Sequence, residues 1–171
     1  PGAAAVPDAH PENDVLSQLA VKRVPTGELT RRNAAEMRVL LLVAGHETTA
    51  NMIALGTVAL LRNPDQLALL RDCEDPKTVA SAVEELLRYL NIVHSGRRRV
   101  ALEDIEIDGE LILAGDGVIF ANDIANRDPG VFPDPDRLDL TRDARRHVAF
   151  GYGIHQRPRQ PLARVELQVA Y

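Results

Sequence analysis

Three short segments of the 171-residue chain carry polar side chains whose types and spacing could support chemistry. The first is AGHETT at 44–49, where Glu47 lies next to Thr48 inside a long apolar run. Because a buried carboxylate is costly, the pair is either a satisfied polar cluster that bends a helix or a proton-delivery pair that faces a small ligand site. Ala44 and Gly45 leave the backbone beside it open to a flat or bulky ligand.

The second segment is EELLRY at 84–89. Glu85 and Arg88 are three residues apart, so they lie on one face of a helix, away from its apolar stripe. From the residues alone, we expect a surface ion pair worth roughly a few tenths of a kcal/mol.

The third segment is FGYGIHQRPRQPLAR at 150–164. Its glycines allow positive φ angles, and consecutive backbone N–H groups in such a loop can converge on an anion. His155 could bond an acidic ligand group, and Arg157 lies where the loop presents a side chain. The alternative is a plain glycine-rich loop before a helix. The chain's only cysteine, Cys73, lies far away in sequence.

The composition is that of a globular chain, with 45% hydrophobic and 26% charged residues. A net charge of -5 argues against a general nucleic-acid binder. Arginines still cluster at 96–99, 141–146 and 155–159, either as solvated surface or as a functional face. A single cysteine cannot form an internal disulfide, so we expect a reducing, cytoplasmic setting.

The elements that must position these segments are mostly helical. A short helix is expected at 14–23, and a long one from an N-cap at Thr30 to about Arg62. The long helix is apolar enough for a membrane span, but polar residues at its centre, among them His46 and Asn51, favour a buried helix of a soluble core. Further helices follow Asn63-Pro64 and Asp75-Pro76, the second with an apolar face at 79, 83, 86, 87 and 90.

The pattern then changes to a period of two. Asp108-Gly109 predicts a hairpin within 105–112, and a further strand is expected at 117–122. Residues 126–146 read as a long ordered loop, and a last helix begins near Pro161. The sequence therefore predicts a mainly α fold with a small β-sheet.

Taken in order, AGHETT, EELLRY, NRDPGVFPDPDRLDL and HVAFGYGIHQ…PLARVE resemble the cytochrome P450 family of haem-thiolate monooxygenases, in particular its soluble actinobacterial type. The resemblance runs from about residue 14 onward. It implies that residues 14–171 form the C-terminal half of that fold, and we expect 1–13 to be a linker or a cut end. A fragment of this kind should expose apolar surface on the long helix and be poorly soluble.

The resemblance also implies roles for particular residues. Glu47 and Thr48 match an acid–alcohol pair that delivers protons during oxygen activation. Glu85 and Arg88 match a buried ion pair, completed by Arg137, that fixes the core and the loop under the haem. The remaining positions match haem contacts and an apolar substrate pocket: Arg99 and His155 at the propionates, Phe150 and Gly151 in the ligand loop, and Leu42, Val43, Ala44, Ile92, Val93 and His94 in the pocket.

The family resemblance implies haem, dioxygen, a small apolar organic substrate, and electrons from NAD(P)H through a reductase and a ferredoxin-type carrier. Neither nucleic acid nor a membrane is expected as a partner. The arginines at 97–99, 142, 145, 146 and 164 are expected to form a basic face on which an acidic carrier docks.

One departure concerns the iron ligand itself. Arg157 occupies the family's cysteine position, and Arg159 occupies a glycine position. A guanidinium has no lone pair to offer iron, so no metal ligand is expected in this chain as written. Three explanations stay open: single-base errors in the written sequence, a decayed gene copy, or a haemless relative with a binding role.

Overall fold

The computed structural model describes residues 14–93, 96–153 and 160–171 and divides the chain into two compact units, one ending at His46 and one spanning Glu47–Tyr171. Helix α1 is Val15–Lys22 and helix α2 is Arg31–Arg62, close to the predicted bounds. The Thr30 hydroxyl accepts the backbone N–H of Asn33 at 3.0 Å. This contact satisfies one of the free donors at the start of α2, as the predicted N-cap requires.

The burial of α2 changes along its length. Its second half is in the core, with Met52, Gly56, Ala59 and Leu60 buried. In its first half Leu42 is 69% exposed and Val43 is 55% exposed. The core cluster of the described residues includes side chains from the second half of α2 only, and the exposed apolar side chains of the first half are those expected on the long helix. By length and composition alone α2 could cross a membrane, a test that core helices of soluble proteins also pass.

Helices α3 (Pro64–Arg71) and α4 (Pro76–Leu90) follow the two predicted Xaa-Pro starts. The Asp75 carboxylate accepts the Lys77 N–H at 3.1 Å and caps α4 as predicted. Asn63 does not cap α3 with its side chain. Its amide instead donates to the Ala59 carbonyl at 2.8 Å, because the last carbonyls of α2 lack helical partners.

The core forms where α4 meets the other elements of the second unit. The predicted apolar face of α4 is buried at Val83, Leu86 and Leu87. It joins one cluster with side chains from α2, from α3, from the loop after residue 126 and from the last helix: Met52, Leu60, Leu70, Leu138, Leu140, Phe150 and Leu167.

The β-structure consists of two antiparallel pairs. Strand β2 (Ile105–Ile107) pairs with β3 (Glu110–Ile112), and strand β1 (Arg97–Val100) pairs with β4 (Gly117–Phe120). The predicted hairpin is confirmed, with positive φ at both Asp108 (52°) and Gly109 (82°), as its two-residue turn requires. Strand β4 ends earlier than predicted because the short helix α5 (Asn122–Ala125) begins there.

A long ordered loop follows α5, as predicted. Between residues 126 and 153 the described chain forms turns and bends, yet Phe132, Leu138, Leu140 and Ala144 are buried. The last helix, α6, is Gln160–Ala170 and packs on α4. The loop and α6 thus lie against the helix that carries EELLRY.

Candidate functional site

The centre of the candidate site is the buried ion pair of α4. Arg88 Nε donates to Glu85 Oε2 at 2.7 Å and Arg88 NH2 donates to Glu85 Oε1 at 2.8 Å. Both side chains are 0% exposed. The expectation of a surface ion pair, drawn from the residues alone, is therefore wrong. The pair is buried, as the family resemblance implies.

Arg88 also binds the long loop through its remaining donors. Its NH1 group donates to the carbonyls of Asn126 at 2.8 Å and Pro135 at 2.9 Å. Its NH2 group donates more weakly to the Arg137 carbonyl at 3.4 Å. One guanidinium therefore fixes three points of a loop that has no regular structure of its own. The loop carbonyls in turn satisfy N–H donors of Arg88 that would cost free energy if they were buried without partners.

The third member of the triad differs from the expectation. Arg137 contributes its backbone carbonyl, whereas the guanidinium that reaches Glu85 belongs to Arg142, with Nε 3.3 Å from Oε1. The Asp139 N–H donates to the same oxygen at 3.1 Å. The Glu85 carboxylate can only accept hydrogen bonds, so it pairs with whichever donors the loop brings to it. The turn after Asp139 directs Arg142 inward, where its side chain is 11% exposed.

A second buried carboxylate, Glu84, joins α4 to both sides of the predicted ligand loop. Arg164 of α6 donates to it from Nε at 2.6 Å and from NH2 at 3.0 Å, and His147 Nε2 lies 3.0 Å from its Oε2. Burial raises the pKa of Glu84, but the hydrogen bonds from His147 and Arg164 and the charge of Arg164 outweigh it and hold the pKa at about 2.

Glu84 and His147 are functional-site residues that sequence reasoning missed. The one available signal was a second glutamate beside Glu85 in a helix whose neighbouring positions were predicted to be buried. Its partners lie 63 and 80 residues away, so local pattern could not pair them.

Two asparagines at the ends of α5 hold the backbone that leads into the loop. The Val148 N–H donates to Asn126 Oδ1 at 2.8 Å, and Asn122 Nδ2 donates to the Val148 carbonyl at 3.1 Å. Because the asparagines are four residues apart, their side chains lie on the same face of one helical turn. Together they pair with the N–H and the C=O of Val148, as the backbone of a neighbouring β-strand would.

The start of the loop itself is closely packed. Phe150 is buried, and the Arg164 guanidinium lies over its ring at 4.9 Å. Arg97 of β1 donates to the Phe150 carbonyl at 3.3 Å. Gly151 has φ +80°, and a Cβ there would lie 2.9 Å from the Arg97 guanidinium, so this position requires glycine.

The structure places the other expected site residues more loosely. Arg99 is exposed and donates to the carbonyl of its neighbour Arg98 at 2.8 Å. On α2, Glu47 is exposed and Thr48 half-buried; Ala44 is half-buried too, as are Ile92 and Val93 after α4. Residues His94, His155, Arg157 and Arg159 lie outside the described residues.

Comparison with known proteins gives the family of this fold and site. The family model for Cytochrome P450 matches residues 70–171. Cytochrome P450 GfsF of Streptomyces halstedii is 58% identical over 161 residues, which cover 93% of this chain and 39% of the relative. Cytochrome P450-SU2 of Streptomyces griseolus is 59% identical over 160 residues, covering 94% of this chain and 38% of the relative.

Solved structures agree with this assignment. The crystal structure of GfsF matches with a TM-score of 0.90 over 94% of this chain and 41% of that chain, at 58% identity. The mycinamicin VIII C21 methyl hydroxylase MycCI of Micromonospora griseorubida matches at 43% identity with a TM-score of 0.87, over the same shares of the two chains. The chain belongs to the cytochrome P450 family, whose members are haem-dependent monooxygenases. It spans about 39% of the length of the GfsF relative.

The chain's own residues fit the haem of this family only in part. On β1, Arg97 and Arg99 point to the same side of the strand, which suits haem carboxylates. The position that resembles the family's ligand position holds Arg157, which cannot coordinate iron, in place of a thiolate. The chain's only cysteine, Cys73, lies in the turn between α3 and α4, where its Sγ donates to the Asp75 carbonyl at 3.5 Å. The chain as written therefore does not fit thiolate ligation of haem.

Proposed function

We propose that this chain is the C-terminal part of a monooxygenase that inserts one oxygen atom of dioxygen into an apolar organic substrate, and that as written it is inactive. The observation that supports the reaction class is the buried Glu85–Arg88 pair, in which Arg88 also donates hydrogen bonds to the loop of residues 126–142. The relatives at 58–59% identity support the same reaction class. The second half rests on Arg157 at the ligand position.

The residue roles under this proposal follow the family resemblance. Glu47 and Thr48 serve as the proton-delivery pair, and an exposed carboxylate beside a hydroxyl suits proton exchange with water. Leu42, Val43 and Ala44, together with Ile92 and Val93, supply apolar surface for the substrate. Arg99 and His155 bind the carboxylates of haem, and Phe150 and Gly151 shape the approach to the ligand.

The electron supply under this proposal is a ferredoxin-type carrier reduced by NAD(P)H through a reductase. Supporting it, Arg145 and Arg146 lie exposed on the long loop, where they offer positive charge to an acidic partner. In a protein made active by Arg157→Cys and Arg159→Gly, changing both exposed arginines to glutamate should slow reduction by the carrier and weaken its salt dependence. Unchanged reduction rates and salt dependence would show that these two arginines do not form the docking face.

We also propose a cytoplasmic location without membrane insertion, which the single, free cysteine and the family's soluble actinobacterial type support.

A haemless binding protein is the second candidate, and Arg157 is the observation that favours it. Reading codons 157 and 159 directly from genomic DNA separates the explanations for this residue. Cysteine and glycine codons would mean that the written sequence carries errors. Arginine codons would leave a decayed copy or a haemless binder.

An oxygen-uptake assay tests the proposed reaction. The protein is completed with the part of GfsF that precedes the matched region, and it is made with Arg157 and Arg159 or with both Arg157→Cys and Arg159→Gly. With ferredoxin, reductase and NADPH, the doubly substituted form is expected to consume oxygen, and the unaltered form to remain at background. Equal uptake by the two forms would contradict the proposal of inactivity, and no uptake by either would contradict the assigned reaction class.

A further inference from the structure

We propose that Glu84 is a positioning residue that holds the two chain segments on either side of residues 154–159 at a fixed separation. The first segment is 147–153, and the second is the start of α6. The proposal rests on contacts between described residues and stands independently of the proposed function.

The geometry at Glu84 joins both segments to one carboxylate. Its Oε2 accepts from His147 of the first segment at 3.0 Å and from Arg164 NH2 of the second at 3.0 Å. Its Oε1 accepts from Arg164 Nε at 2.6 Å. Arg–carboxylate contacts with two donors fix orientation as well as distance, so α6 is held in both respects.

The histidine contact has a defined tautomer. The Ala149 N–H donates to His147 Nδ1 at 3.1 Å, so Nδ1 accepts and the proton lies on Nε2, which then donates to Glu84. The His147 side chain is only 2% exposed, so water does not compete for this contact. The first segment is thereby attached to Glu84 through a ring that its own backbone orients.

The two segments also touch each other beside the carboxylate. The Arg164 guanidinium lies 4.9 Å from the centre of the Phe150 ring, and the rings of His147 and Phe150 are 6.0 Å apart. Without the charge of Glu84, the half-buried Arg164 would lie against the Phe150 ring with no carboxylate from Glu84 to balance its own charge. Such a cation moves toward water, and α6 moves with it.

Other contacts hold the first segment independently of Glu84. Val148 is bound by Asn122 and Asn126, and the Phe150 carbonyl is bound by Arg97. Loss of the Glu84 charge should therefore loosen the separation between the segments while the first segment stays attached to α5 and β1.

Electron paramagnetic resonance can measure the separation directly. Spin labels are attached at Tyr152→Cys, where the native side chain is 87% exposed, and at Leu162→Cys, where it is 45% exposed, in a Cys73→Ser background of the 171-residue chain. Glu84→Gln is expected to broaden the label-to-label distance distribution about twofold, because the bidentate ionic contact is lost.

The control variant is Val83→Ala, one residue away on α4. Val83 is 1% exposed and has no polar group, so this change lowers stability by creating a cavity without removing a hydrogen bond or ion pair to either segment. Val83→Ala is expected to leave the distribution unchanged. An unchanged distribution in Glu84→Gln, or equal broadening in Val83→Ala, would overturn the proposal.

A second pair of variants keeps the proposal testable if Glu84→Gln does not fold. His147→Gln and Arg164→Lys each weaken the attachment of one segment. Because both segments share one acceptor, the double variant should broaden the distribution by less than the sum of the single variants. Additive broadening would mean that the segments are held separately, and it would overturn the role of Glu84.

Discussion

Arg88 lies on Glu85 with two parallel hydrogen bonds of 2.7 and 2.8 Å, and neither side chain reaches solvent. The same guanidinium holds the carbonyls of Asn126 and Pro135. A contact within one helical turn therefore also fixes a loop that lies 38 to 47 residues further along the chain. This relationship makes the loop dependent on the ion pair.

Glu85→Gln is expected to destabilise the chain by about 3–5 kcal/mol, since it leaves the charge of Arg88 buried and uncompensated. The matched control is Asp143→Asn, which breaks the exposed pair with Arg145, where the side chains are 63% and 80% exposed. That change should cost far less than Glu85→Gln, because water screens the exposed pair. Urea denaturation followed by circular dichroism measures both losses. Similar losses of unfolding free energy in the two variants would show that the Glu85–Arg88 pair does not hold the loop in place.

The acid stability of the chain should depend on Glu84. Its pKa is about 2 in the folded chain against an ordinary value of 4.5, because the contacts from His147 and Arg164 outweigh the effect of burial. A depressed carboxyl pKa gives stability that is present above pH 4.5 and is lost as the pH falls toward 2, in total about 3 kcal/mol. Glu84→Gln should remove this part of the pH dependence.

Urea midpoints at a series of pH values between 6 and about 2.5 test this expectation. The unaltered chain should lose more stability over this range than Glu84→Gln does, even if the variant is less stable at neutral pH. Parallel curves for the two proteins would show that Glu84 is not the titrating group.

Tyr171 should report on a close contact with α2. Its hydroxyl donates to the Met52 carbonyl at 2.7 Å, and burial raises its pKa to about 12. A Cβ at Gly56 would clash with this hydroxyl, so Gly56→Ala is expected to displace the ring and lower the pKa of Tyr171 toward 10. A raised pKa gives stability that is present below pH 10 and is lost as the pH rises through about 12.

Tyrosinate absorbance during an alkaline titration measures this change, and Tyr171→Phe identifies the signal among the three tyrosines. Gly117→Ala is the control, because an added Cβ there meets nothing within 4 Å. If Gly56→Ala titrates like the unaltered chain, Tyr171 is not packed against Gly56.

Much of the fold could be predicted because its signals are local. Thr30 and Asp75 mark helix starts through contacts two or three residues away, and Asp108-Gly109 marks its turn through its own φ angles. The apolar period of α4 likewise lies within one helix. Such features depend on neighbours in sequence, which a sequence displays directly.

The missed features depend on partners that are distant in sequence. Strand β1 was seen only as a charge cluster, because its pairing with β4 is not visible in the RRR run. The spacing of Glu85 and Arg88 could not show their burial, which comes from the long loop. For the same reason the sequence did not show that the side chain at Glu85 belongs to Arg142 and not to Arg137, since the direction of a turn decides which arginine faces inward.

The central claim is that this chain has the cytochrome P450 scaffold but lacks its iron ligand, and a carbon monoxide difference spectrum tests it most directly. The protein, completed with the GfsF part that precedes the matched region, is supplied with haem and reduced, with Arg157 and Arg159 or with both Arg157→Cys and Arg159→Gly. We expect the strong red shift of the Soret band that marks thiolate ligation only in the doubly substituted form. The same shift in the unaltered form would contradict the claim, and its absence from both would mean that the scaffold does not place residue 157 at the iron.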